Sequence, residues 1–117
     1  MSEEMAEKKE IQVSKFTLST GKIVYIREPE IGDTEHAMKI AGKEAGPENE
    51  AYLSVLFQKE MVKVLLVQVD AKKLTLADKQ QIKTLFTFRE YTQVNKAVQA
   101  VVGDEGNFDL TPEHTTL

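Results

Sequence analysis

FTLSTGKIVYIREPEIGD, residues 16 to 33, decides how this chain begins to fold. Thr20, Gly21 and Lys22 are residue types that grip phosphates in nucleotide-binding loops. A phosphate loop of that type needs a glycine five positions before its Gly-Lys pair and a Ser or Thr directly after the lysine. Here Phe16 holds the first position and Ile23 the second, and the residues after Lys22 read as a strand, not a helix. The stretch is therefore the tip of a β-hairpin. Thr20 is β-branched and resists the positive φ of a two-residue type I′ turn. A three-residue loop, Ser19-Thr20-Gly21, with Gly21 left-handed at a bulge, fits better. That register sets Leu18 against Lys22 and Phe16 against Val24. Phe16, Leu18, Val24 and Ile26 then share the core face, and Lys15, Thr17, Ile23, Tyr25 and Arg27 the other.

Downstream, Asp33 reads as the N-cap of a helix with a narrow apolar stripe of Ala37, Ile40 and Ala41, ended by Gly46-Pro47. From Glu48 to about Val69 apolar residues recur at helical spacings through Tyr52, Leu53, Leu56, Phe57, Val64 and Leu65. This predicts the longest helix, with a buried strand over Val64–Val69 as the rival, because β-branched residues crowd there. Thr75 with Asp78, and Thr87 with Glu90, have capping-box spacing. They predict a short helix over Leu76–Leu85 and a longer one over Phe88–Val102, ended by Gly103. Tyr91, Val94, Val98 and Val101 form the stripe of the last helix. The expected fold class is α+β, an N-terminal β-hairpin followed by a bundle of three to four α-helices. Residues 11–102 form the single domain, between a disordered tail at 1–10 and a flexible tail at 103–117.

The chain has 117 residues, a net charge of −4 and no cysteine. The acidic balance argues against nucleic acid, which is bound through clustered Lys and Arg. Without cysteine there is neither a disulfide nor a thiolate metal site. The longest apolar run, MVKVLLVQV, contains Lys63 and is too short to span a bilayer. These features lead to the expectation of a small soluble intracellular domain.

No constellation carries catalysis. His36 and His114 are the only imidazoles and lack paired-ligand spacing. DEGNFD, residues 104 to 109, places its glycine third, whereas a calcium loop wants it sixth. Glu28, Glu30, Asp33 and Glu35 read as a solvated rim with a helix cap, and the lysines from Lys59 to Lys83 alternate with acids. Neither cofactor nor metal is expected. What remains is surplus apolar surface and a hairpin that cannot stand alone, which together suit partner binding.

The layout resembles the small tail assembly chaperones of tailed bacteriophages. Their pattern of a glycine-tipped hairpin, an arginine, a proline and a Gly-Asp opening the helical part is met by Leu18, Gly21, Arg27, Pro29, Gly32 and Asp33. A long apolar helix comes next at 48 to 69, then VDAKKLT at 69 to 75 and FREYTQVNKAV at 88 to 98. Ala71 stands where a glycine is usual, and Glu90 where an Asp often lies. The likeness covers residues 11 to 102. It implies a non-enzymatic protein of the host cytoplasm that coats the tape measure protein during tail morphogenesis and leaves before the tail is complete. Homo-oligomers fit the same picture, as does a longer frameshifted form. The rivals are a small regulatory adaptor and a structural virion protein. Tyr91, Val94, Val98 and Val101, with Tyr25 on the second hairpin face, are the partner-binding candidates, against the alternative that the last-helix stripe is plain core.

Overall fold

The computed structural model describes residues 12–47, 49–103 and 113–116. The expected N-terminal tail and the DEGNFD segment lie outside the described residues. Strands β1 (Gln12–Thr17) and β2 (Ile23–Arg27) pair antiparallel with Phe16 opposite Val24 and Thr17 opposite Ile23, the register that the three-residue loop requires. The Leu18 N–H donates to the Lys22 carbonyl at 2.7 Å, and the Gly21 N–H to the Leu18 carbonyl at 2.8 Å. Gly21 has φ +95°, a conformation that a side chain would strain.

Helix α1 (Ile31–Ala45) starts earlier than expected. Its N-cap is Glu30, and Asp33 sits one turn in, where its carboxylate accepts the Glu30 N–H at 2.7 Å. The acid still closes the first turn, but from inside the helix rather than from its cap position. Ala37 and Ala41 are buried on the inner side of α1, which runs along α2 (Glu50–Leu65). Asn49 caps α2 by accepting the Tyr52 N–H at 3.3 Å.

The helix expected to reach Val69 stops at Leu65. Leu66–Val69 is strand β3, antiparallel to β2, with Val69 opposite Val24 and Leu66 opposite Ile26. The open edge of the hairpin takes up β-branched residues that a helix tolerates less well, so the rival reading holds for this stretch. Asp70, at φ +53°, turns the chain into the two-residue strand β4 (Lys72–Lys73). It also ties back to the hairpin: its N–H donates to the Ile23 carbonyl at 2.7 Å, and its carboxylate accepts the Ile23 N–H at 2.9 Å.

Both capping boxes form. Thr75 and Asp78 open α3 (Leu76–Gln80), and Thr87 and Glu90 open α4 (Phe88–Val102). The single helix expected over Leu76–Leu85 is divided, because Gln81 leaves helical geometry and Ile82–Leu85 continues as a 3₁₀ turn. Gly103, at φ +124°, ends α4. Beyond it, the span expected to be a flexible tail contributes strand β5 (Glu113–Thr116), which pairs with β1 and sets His114 opposite Ser14 in the ladder. The sheet order is β4-β3-β2-β1-β5.

The architecture is α+β: an antiparallel hairpin followed by helices, with the hairpin as the centre of a sheet. Phe16, Leu18, Val24 and Ile26 form the core with Met61, Val62, Leu65 and Leu66 and with Ile82, Val94 and Val98. Burial of this apolar set is the main favourable term for so small a domain. Among the described residues, no helix is long and apolar enough to cross a membrane.

Candidate functional site

Thr20 and Lys22 do grip an anionic group, and it is a carboxylate of the same chain. The Thr20 hydroxyl donates to Glu90 Oε2. Lys22 Nζ donates to the Leu85 carbonyl at 2.8 Å and lies 3.3 Å from Glu90 Oε1 and 5.3 Å from the centre of the Phe86 ring. Beside them the Ser19 N–H donates to Gln93 Oε1 at 3.0 Å, and Gln93 Nε2 to Ser19 Oγ at 2.9 Å. Glu90 also accepts the Thr87 N–H at 2.9 Å, as the capping box requires. The Thr20 hydroxyl first, then the Thr87 N–H and Lys22, outweigh burial and hold the Glu90 carboxyl down at about 2, from an ordinary 4.5. The hairpin tip is thus fastened to the first turn of α4, and the Thr20 hydroxyl and Lys22 ammonium that a phosphate could use are taken.

Where the hairpin leaves the sheet, Arg27 and Asp33 form a two-pronged pair, Nη1 to Oδ2 and Nη2 to Oδ1, each at 2.9 Å. The guanidinium lowers the Asp33 carboxyl below its usual range, and the carboxylate in turn raises Arg27. The pair ties the end of β2 to the first turn of α1.

These two locks tie α4 and α1 to the hairpin, and between α2 and α4 a groove opens. Its larger part, about 450 Å³, is lined by Tyr52, Val55, Leu56, Phe86, Phe88 and Tyr91, with Lys59 and Lys83 at the rim. Its smaller part, about 120 Å³, is lined by Phe57, Met61, Val98 and Val102, and Gln58 and Asn95 border both. On α4 the lining residues Phe88, Tyr91, Asn95 and Val102 recur at helical spacing, so one side of the helix faces the groove. The Thr87 cap sets where α4 begins and so places Phe88 on the rim. Phe88 is 87% exposed and Val55 61%. Of the large exposed apolar side chains among the described residues, Tyr52, Val55, Phe88 and Val102 line this groove, and Ile31, Met38 and Leu76 do not. Such clustering marks a contact surface more than scattered exposure does. Burial, helped by the charge of Glu60, pushes the Tyr91 phenol up. Asn95 Oδ1 is buried without a hydrogen-bond partner among the described residues.

The five residues singled out from sequence do not form one site. Val94 is a core residue. Val98 is buried and forms part of the groove floor, and Tyr91 is half-buried on its wall. Val101 packs on the margin of the core. Tyr25, paired with Lys15 and Gln68, lies on the sheet face away from Val24 and Ile26. The periodicity of α4 points to its core stripe and passes over the neighbouring one. Phe88 and Val55 were the available signal: large apolar residues off the core stripe of their helices.

The class that the fold and the groove define is an α+β domain with an apolar helix-lined surface. No protein-family model matches the chain, and neither a curated protein nor a solved structure does.

Proposed function

We propose that this chain is a tail assembly chaperone of the tailed-phage kind, binding a helical segment of the tape measure protein by contact and without catalysis. The observation that carries this reading is the α2/α4 groove, where Tyr52, Val55, Phe88 and Val102 present apolar surface to solvent. Two helices with a channel between them suit a third helix laid along it, with anchors at positions i, i+3, i+4 and i+7 of the guest. A tape measure protein is a long helical chain whose apolar stripes need cover until the tail closes around it. The order of hairpin, Arg27, Pro29, Gly32-Asp33 and helices supports the same family resemblance.

The test is co-expression with a tape measure protein from the same genome, followed by affinity purification. The two proteins are expected to elute together and to separate when Val55 is changed to Asp. Separate elution of the wild-type proteins at micromolar concentration overturns the proposal. Recovery of the chain in finished particles would identify a structural virion protein instead.

A further inference from the structure

Two properties of the groove describe a guest. The first is charge. Lys59 and Lys83 line its larger part, which no carboxylate among the described residues lines, although the whole chain is acidic at −4. Among the described residues Lys59 pairs with Glu44, at 3.8 Å, where the lysine side chain is 22% exposed and the carboxylate about half-exposed, so solvent still screens the pair. Lys83 is exposed. The carboxylate that acts on Tyr91 from α2, Glu60, is buried and lies 3.5 Å from Lys63.

The second property is Asn95. It borders both parts of the groove, and its carbonyl oxygen is closed off without a hydrogen bond among the described residues. Leaving a buried acceptor unpaired is costly, so an apolar residue would serve the free protein better at this place. An asparagine here gains a purpose if a small rotation about its side chain turns the carbonyl toward a donor on the guest.

We infer that the groove selects one amphipathic helix of another protein, with carboxylates flanking its apolar stripe on the Lys59 and Lys83 side and a hydrogen-bond donor within the stripe opposite Asn95. This rests on reading the groove as the contact surface and names the chemistry of its partner. Asn95 is then a specificity residue: it fixes the register of the guest at the expense of stability in the free chain. A second copy is a poorer occupant, because groove-to-groove packing about a two-fold axis places the same lysines on both sides of the interface.

The experiment uses the full chain and three labelled synthetic amphipathic peptides, read by fluorescence anisotropy. One has Glu flanks and a central Gln in a leucine stripe, the second has Lys flanks, and the third replaces the central Gln by Leu. The Glu-flanked peptide is expected to bind at least about tenfold tighter than the Lys-flanked one at low ionic strength, with the gap closing as salt is added. Lys83→Glu sets a negative charge against that of Lys59 and should erase that preference. Val55→Asp and Phe88→Ser should abolish binding while leaving the melting temperature nearly unchanged. Asn95→Leu should raise the melting temperature and remove the preference for Gln over Leu in the guest. Equal binding of the Glu- and Lys-flanked peptides overturns the inference, as does absence of binding up to about 100 µM. So does a self-association that Val55→Asp dissolves, which would make a second copy the occupant. The two readings fail separately. If Val55→Asp and Phe88→Ser still co-purify with the tape measure protein, the groove inference falls and the chaperone reading stands. If the peptide preferences hold but the tape measure protein does not bind, the reverse is true.

Discussion

Thr20 donates a hydrogen bond to Glu90 across 70 residues of sequence, and that contact joins the two halves of the molecule. Thr20 belongs to the hairpin tip, and Glu90 closes the first turn of the last helix. The same carboxylate therefore caps α4 and anchors it to the sheet. Because Phe88 stands two residues before Glu90, the anchor also sets one wall of the groove. A local turn in the sequence thereby reaches the surface on which function is proposed to act.

Removing this anchor should be visible in stability. Thr20→Val keeps the shape of the side chain and removes the donor, and the melting temperature should fall by on the order of 5 °C. Lys22→Met keeps the contact with the Phe86 ring while removing the charge, and a smaller fall is expected. In a double-mutant cycle with Glu90→Gln, the Thr20 and Glu90 effects should be non-additive, since the two side chains touch. Strict additivity would show that the contact contributes nothing. Inorganic phosphate or a nucleotide should leave the melting temperature where it is, because Thr20 and Lys22 are already engaged.

The depressed Glu90 carboxyl gives the pH dependence a direction. In the unfolded chain it takes up a proton near its ordinary 4.5, and in the folded chain only near 2. Between those values the unfolded state binds more protons, so acid favours unfolding there. The stabilisation is complete above about pH 5 and is lost as the pH falls through the window toward 2. Urea midpoints measured from pH 6 down to pH 3 should decline, and Glu90→Gln should flatten that decline while lowering the pH 6 value. An equally steep decline in Glu90→Gln would assign the acid sensitivity to other carboxylates.

Arg27 and Asp33 test whether geometry or charge joins β2 to α1. Arg27→Lys keeps the positive charge but cannot form two parallel N–H···O bonds. A loss of about 1 kcal/mol is expected, seen as a lower urea midpoint at unchanged slope. The neighbouring change Glu28→Gln, at an exposed position whose side chain has no part in the fork, serves as the control. If Arg27→Lys matches that control, the fork contributes no more than a charge.

The hairpin was legible in the sequence because its determinants are local. Gly21 supplies the left-handed residue, and the alternation from Phe16 to Ile26 sets the face. The capping boxes were legible for the same reason, since each pairs residues three apart. The path of the chain after Leu65 was not settled by local pattern. Val64 to Val69 suits a helix or a strand, and the free edge of β2 decides between them. Strand β5 was missed because residues 113–116 lack apolar alternation; the ladder that holds them uses backbone groups, which every sequence possesses. The groove was hidden for a further reason: it exists only once α2 and α4 pack. Phe88 and Val55 look like stray apolar residues until both helices place them on the same opening.

Val94 and Phe88 separate what folds the protein from what it is proposed to do. They lie on one helix, six positions apart, on faces with opposite exposure. Val94→Ala removes two buried methyl groups from the centre of the core and leaves a small cavity. The expected cost is about 2 kcal/mol, with the groove lining still in place. Phe88→Ser removes a ring that touches little of the fold, and stability should stay within about 0.5 kcal/mol of wild type. On partner binding the order should invert. Val94→Ala should bind normally at temperatures where it remains folded, and Phe88→Ser should bind at least about tenfold more weakly, as expected for an aromatic anchor in an apolar channel. Urea titration and a pull-down with the co-expressed tape measure protein give both readouts on the same preparations. If Phe88→Ser costs stability and spares binding, the exposed ring is part of the fold after all, and the contact surface must be sought elsewhere on the molecule.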